Sequence, residues 1–389
     1  MTGFRTCMLA AMAALALACA AASGTAAGGT TTADAAGRSG PGAVDSGPLL
    51  YVTNQNGASI SVIDVERQEE VARVDLQALG FGPNAKPHDT ALEPDGSYWY
   101  VSLIGENRVL KFDRENQLVG QVEMEVPGLV VAHPTRDLLI VGRSMSAVNP
   151  PSSIALIRRS DMTLLDEVEV VYPRPHANAT RRDQWAYSAS LAENRIAVID
   201  LDSEDVTLVD LPEPTIRDTA AMAHAEHQGM TPHTLVEFAL APDGRTMVAG
   251  GQISGELMVF DLTDPAAPRI VHRVPIGGGP FHPAFTPDGR WVYVPLNRGN
   301  QVAVVDTGTW EVVDRIEGRG IAEPHGAAPS PDGRFMFVSN NNLQGTYAAS
   351  GSDQSAGTVV VIDIATREIV KVIEVGPNAT GLETMPAAR

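Results

Sequence analysis

From residue 48 onward, short runs of apolar and β-branched residues recur at one spacing. Each unit has a Pro-Asp-Gly turn, a β-rich run, a second run ending in aspartate, and a third rich in β-branched residues. Runs this short, alternating between apolar and polar positions and bounded by turn residues, predict antiparallel β-strands rather than helices. The turn stands at Pro94-Asp95-Gly96, Pro242-Asp243-Gly244, Pro287-Asp288-Gly289 and Pro331-Asp332-Gly333, with degenerate copies over 134–137 and 181–183. Proline presets the first turn angle, aspartate bonds the backbone ahead of it, and glycine accepts a positive φ. Seven first runs follow, over 49–53, 99–103, 138–142, 185–189, 246–250, 291–295 and 335–339. Seven second runs follow those, over 61–64, 108–113, 154–158, 195–200, 256–261, 301–306 and 358–363.

Seven units of roughly 48 residues match the length of a four-stranded propeller blade. The first unit, from Leu49, lacks an innermost strand, while the segment 379–385 stands alone after the seventh unit. The expected fold is all-β, a seven-bladed β-propeller over 49–389 that the C-terminal strand closes. Leu50-Tyr51-Val52-Thr53-Asn54 followed by Ser61-Val62-Ile63-Asp64 resembles the YVTN family of bacterial β-propeller repeats, over residues 49 to 385. That resemblance implies the fold and leaves the activity open, since propellers host many chemistries.

The formal charge of −19 argues against a nucleic-acid partner, which needs a basic surface. The only two cysteines, Cys7 and Cys19, fall in the first twenty residues, so the body has no disulfide, iron–sulfur cluster, thiolate zinc site or covalent c-type haem. Arg5, the apolar run from Met8 to Leu17 and the small residues after it read as a secretory signal over 1–22. Leu15-Ala16-Leu17-Ala18-Cys19 resembles a lipoprotein signal, with Ala16 where that motif prefers leucine; the alternative is cleavage at an Ala-x-Ala site within Ala20 to Ala22. Residues 23–48 are rich in Gly, Ala, Ser and Thr and read as a flexible linker. A periplasmic or extracellular protein, with or without a lipid anchor, is expected.

Histidines cluster at the predicted heads of the inner strands: His88, His176, His233, His282 and His325, with Gly128 and Asn378 taking the equivalent places in the two other blades. Random scatter of nine histidines would place fewer than about one there. Duplication of a turn-capping residue is one cause, and a shared ligand is the other. Neutral imidazoles converging on a channel mouth can bind copper, iron, zinc or another transition metal, or ligate a tetrapyrrole. Asp89 stands where it could orient the His88 ring, with a solvated loop carboxylate as the favoured alternative. His282 is offset by one residue from the others and is expected to point away.

Ile276-Gly277-Gly278-Gly279-Pro280-Phe281-His282-Pro283-Ala284-Phe285 and Pro87-His88-Asp89 resemble histidine-bearing segments of the nitrous oxide reductase propeller, which holds a copper–sulfide cluster. The d-type-haem propeller of haem nitrite reductases is similar in architecture. The chain lacks the cupredoxin-like domain and adjacent-histidine pair of the first and the cytochrome c segment of the second, so the resemblances imply a metal-binding position rather than a reaction.

The insertion 212–231 carries Met222, His224, His227 and Met230, and a helical turn over 219–228 would put His224 and His227 on one face, able to join the cluster. Long loops over 143–151 and 340–357 are expected on the same side as a binding face, with Arg143, Met145 and Tyr347 either lining it or, the favoured alternative, serving as ordinary loop residues. No nucleophile elbow, phosphate-cradling glycine loop or His-Glu-x-x-His helix is present. The expectation is an exported propeller that binds a metal or metal-containing cofactor through channel-mouth histidines, for redox or metal handling, with an envelope protein or redox partner. The alternatives are a non-catalytic envelope scaffold and a propeller lactonase or hydrolase.

Overall fold

The computed structural model describes residues 47–144, 151–215 and 230–385. The predicted leader, Cys19, most of the linker, Met145, Met222, His224 and His227 lie outside the described residues. Seven antiparallel four-stranded sheets succeed one another. Their innermost strands are β4 (Pro87–Leu92), β8 (Pro127–Ala132), β12 (Pro175–Thr180), β16 (Leu235–Leu240), β20 (Ala284–Phe285), β24 (Pro324–Pro329) and β28 (Ala379–Met385). Each packs against the next, and β24 packs on β28, which packs on β4, so the ring is closed.

The closing sheet runs β28-β1-β2-β3, with β1 (Leu49–Asn54), β2 (Ser59–Asp64) and β3 (Glu69–Asp75). Leu49 pairs with Met385 and Val52 with Leu382, as the missing first strand requires. Thr53 Oγ1 and Thr380 Oγ1 lie 2.8 Å apart across this seam, and both hydroxyls donate to the His88 carbonyl, each at 3.0 Å. The last strand thereby bonds both to its own blade and to the next one.

Strands at the middle of each blade are buried on both faces because neighbouring blades cover them, so β1 and β2 are buried along their whole length. The outermost strand has only one covered face, and β3 alternates between exposed and partly buried positions. Packing between blades is aromatic where the first and second meet: Trp99 stacks between Tyr51 and Phe112, with ring centroids 4.5 Å and 4.3 Å away. The turns behave as their residue types dictate. Asp288 Oδ1 accepts from the Arg290 amide at 3.0 Å, and Gly289 sits at φ 72°. The strand-ending aspartates cap turns, as where Asp113 Oδ1 accepts from the Gln117 amide at 2.7 Å.

Ending the chain at Asn378 removes the buried Ala379, Leu382 and Met385 and leaves β1 as a free edge. Losing such side chains costs about 2–5 kcal/mol apiece for the larger ones, and the melting temperature should fall by about 10 °C or more. Differential scanning calorimetry of the truncated and full chains checks it.

Candidate functional site

A left-handed residue stands immediately before six of the inner strands, at Lys86 (φ 51°), Val126 (45°), Arg174 (56°), Thr234 (53°), Glu323 (54°) and Asn378 (57°), and in the β20 blade Gly279 (68°) stands before Pro280, whose bridge to Leu296 precedes the strand. Bulky side chains rarely adopt this conformation, so its recurrence marks equivalent positions. The pairing with the second strand then slips by one residue: Pro87 faces Leu103 but Thr90 faces Val101, and Leu235 faces Gly251 but Phe238 faces Ala249. Pro280 opposite Leu296 followed by Ala284 opposite Tyr293 shows the same offset. Such a bulge sets two consecutive residues at the head of each strand out of the regular ladder.

Counting from this marker gives two tiers. The upper tier is His88, Gly128, His176, Val236, Phe281, His325 and Thr380; the lower is Asp89, Leu129, Ala177, Glu237, His282, Gly326 and Gly381. Three expectations are corrected. His233 precedes the strand: a turn in which the Thr234 amide donates to Thr231 Oγ1 at 2.7 Å sets Leu235 at the head. Its ring is already occupied, with Nδ1 bonding Ser254 Oγ at 3.0 Å and Nε2 the Pro212 carbonyl at 2.7 Å. Asn378 likewise falls before the head, leaving Thr380 in the equivalent place. His282 belongs to the cluster instead, because its one-residue offset puts it on the lower tier of the same channel.

His88 lies 5.6 Å from His176 and 6.3 Å from His325 between ring centroids, and His325 lies 4.4 Å from His282. All four are buried. His176 Nδ1 is 2.9 Å from the Arg143 carbonyl, which can only accept, so this nitrogen carries the proton and Nε2 keeps its lone pair. Both ring nitrogens of His88 and Nδ1 of His325 are buried without a hydrogen-bond partner. Burial, reinforced by neighbouring imidazoles, holds His88 and His325 well below the usual histidine range. Burial also lowers His176 to about 4 and His282 to about 3. The rings are therefore neutral near pH 7, the form that donates to a metal. Asp89 does not orient His88: its Oδ2 accepts from the Val130 amide at 2.9 Å.

Next to the imidazoles lies a cavity of about 500 Å³ that reaches Pro242 and Pro287, beside the Pro-Asp-Gly turns. Asp89, Glu237 and Glu383 line it. Desolvation raises all three carboxyls, Glu237 and Glu383 to about 8, and mutual repulsion adds to the effect at Asp89 and Glu383. Glu237 Oε2 is in direct contact with His282 Nδ1, joining the cavity to the imidazole cluster. Sequence reasoning missed Glu237 and Glu383. Aligning the units on the residue before the head, rather than on Pro-His, puts Glu237 level with Asp89.

Residues expected to line the loop-rich side serve the blades instead. Arg143 is fully buried, donating to the Glu125 carbonyl at 2.6 Å and pairing with Glu167 at 2.8 Å. Tyr347 donates to Glu374 at 2.8 Å. Among the described residues, no three His, Cys, Asp or Glu side chains are arranged to hold a metal ion.

Glu237 links stability to pH. Its folded carboxyl keeps a proton up to about 8, whereas the ordinary value is 4.5, so its stabilising contribution is complete below 4.5 and is lost as pH rises through 8. Glutamine does not titrate. The melting temperature of Glu237→Gln relative to wild type should therefore climb between about pH 5 and pH 8, which thermal denaturation across that range measures.

A family model described as lactonase, seven-bladed β-propeller, matches residues 122–371. Among curated proteins, NirF of Pseudomonas aeruginosa is 27% identical over 221 residues, which cover 50% of this chain and 52% of NirF. The chain thus spans about half the length of that relative. A functionally unknown protein of Desulfotomaculum acetoxidans superposes with a TM-score of 0.66 at 15% identity, covering 86% of this chain and 98% of that one. Dihydro-heme d1 dehydrogenase NirN, solved in complex with DHE, gives 0.57 at 15% identity, covering 87% and 75%. Hydrazine synthase of Kuenenia stuttgartiensis gives 0.54 at 18%, covering 76% and 88%. At these identities the structures share the fold, and the match over well more than half of the sequence assigns the family: the chain belongs to the lactonase family of seven-bladed β-propellers.

Proposed function

We propose that the protein holds an iron tetrapyrrole at the head of its channel, where His88 would be the residue that ligates it. The observation that carries this reading is the His88 ring itself, buried, neutral, and without a hydrogen bond at either nitrogen. A buried imidazole without partners is costly unless a ligand completes it. A bare copper or zinc ion asks the protein for three or four donors, and no such set converges among the described residues. A tetrapyrrole brings four nitrogens and asks for one imidazole. When bound, it supplies a redox-active iron.

The chain's own residues supply the setting. The Arg143 carbonyl fixes the His176 tautomer and leaves Nε2 able to accept a proton. Phe281, whose ring lies 5.0 Å from His325, adds an apolar surface against a flat macrocycle. NirN, a dihydro-heme d1 dehydrogenase that shares this fold, suggests a haem of the d1 type as the ligand class. Export through the leader at 1–22, with or without a lipid on Cys19, belongs to the same reading.

Titrating the purified chain with ferric haem d1, with protohaem alongside, tests it. A saturable 1:1 change in the absorption spectrum is expected, weakened more than about tenfold in His88→Ala. Absence of binding, or a His88→Ala protein that binds as wild type does, overturns it. A second reading, hydrolysis of a lactone, is favoured by the family and by the Glu237–His282 contact, an acid–base pair at the edge of a cavity. It requires release of acid from simple γ- and δ-lactones in a pH-stat, abolished by His282→Ala.

A further inference from the structure

We propose that a cleft between the blades of β20 and β24, beside their Pro-Asp-Gly turns, binds a small polycarboxylate of the size of citrate. The cleft measures about 600 Å³ and is lined by Arg290 and Trp291 from one blade and by Arg334, Asp363 and Arg367 from the next. It shares no lining residue with the channel cavity, so the site holds whether or not His88 takes a tetrapyrrole. Arg290 lies over the Trp291 ring, 4.6 Å from its centroid, and Arg367 reaches across the blade junction to within 4.5 Å of the same centroid. Arg334 lies over Phe335 at 4.9 Å. Stacking occupies the flat face of a guanidinium and holds it in place, while the N–H groups in its plane stay available to a ligand.

A second observation points the same way. Carboxylates outnumber basic groups 47 to 28 in this chain, and arginines elsewhere close on them, as Arg73 does on Glu70, Arg195 on Asp210 and Arg273 on Glu256, each at 2.7 Å. Around the cleft they do not. Among the described residues neither Arg290 nor Arg334 pairs with a carboxylate, and Arg367 approaches only Asp314, at 3.8 Å. The nearby aspartates are engaged by their own turns. Asp288 Oδ1 accepts from the Thr286 hydroxyl at 2.6 Å and the Arg290 amide at 3.0 Å, and Asp332 Oδ1 from the Ser330 hydroxyl at 2.6 Å and the Arg334 amide at 3.0 Å. Asp363 Oδ1 accepts from the Ala365 and Thr366 amides, at 2.9 Å and 3.0 Å. Three guanidiniums thus face one lining carboxylate, a local reversal of sign in a chain of formal charge −19.

Size and lining choose the anion. A planar carboxylate meets the edge of a guanidinium with two parallel N–H···O bonds, the strongest pairing open to arginine. The volume of about 600 Å³ falls in the range of small-molecule sites, and a lone sulfate or phosphate fills little of it. Several carboxylates on a short carbon skeleton fill more and offer one acceptor pair to each arginine. Ile364 and Ala365, which also line the cleft, meet the carbon skeleton.

Calorimetric titration of the full chain with citrate, and with sulfate at matched ionic strength, reads this directly. Saturable 1:1 binding of citrate is expected, weakening as sodium chloride is added, with sulfate bound more than about tenfold less tightly. Arg290→Ala/Arg334→Ala should lose more than about tenfold in affinity for citrate. Arg245 stands at the same place after the Pro-Asp-Gly turn of the preceding blade but does not line the cleft, so Arg245→Ala should bind citrate as the wild type does. Absence of saturable citrate binding, equal binding of sulfate, unchanged binding by the double variant, or an equal loss in Arg245→Ala overturns the proposal. Arg290 and Arg334 are both exposed, and should the double variant fail to fold, the two single variants give the same reading.

Discussion

The pairing of β28 with β1 is the constraint on which the rest depends. Those strands come from opposite ends of the sequence, with Leu49 beside Met385 and Val52 beside Leu382. Without that ladder the first blade lacks its inner wall and the ring presents a free edge. The channel is the space that closure creates, and Glu383 stands on the closing strand itself. Thr380, on the same strand, donates to the His88 carbonyl. Closure and the geometry of the site are therefore one structural event.

The two tiers follow from a backbone device repeated around that ring. A left-handed residue turns the chain into each inner strand, and the one-residue bulge after it sets two consecutive positions apart from the ladder. Three of the seven upper positions are imidazoles, and the lower tier holds two carboxyls, Asp89 and Glu237, with one further imidazole. His282 falls level with Asp89 and Glu237, and its blade carries Phe281 where three others carry histidine.

Desolvation sets the protonation of both tiers, in opposite senses. It disfavours whichever form is charged, so it lowers the histidines and raises the carboxyls. The same burial makes the channel head a place for neutral donors and makes the cavity next to it a store of protons. The contact between Glu237 and His282 joins the two. Acid charges the imidazoles and alkali the carboxyls, so each end of the pH scale weakens the fold for its own reason.

The sequence by itself determined the strands, the blade count and the closure. Those rest on local chemistry: Pro-Asp-Gly presets its turn, and β-branched alternation presets a strand, wherever the segment sits. It also showed that histidines gather near the strand heads. Which of them meet was decided by tertiary structure. Pro232-His233 reads like Pro87-His88, yet a threonine-capped turn moves its strand head to Leu235 and sends the ring to Ser254 and Pro212. Glu237 and Glu383 carried no local signal, because only the closed ring brings their strands to one cavity. Register and burial are properties of the closed ring, and no segment shorter than the ring contains them.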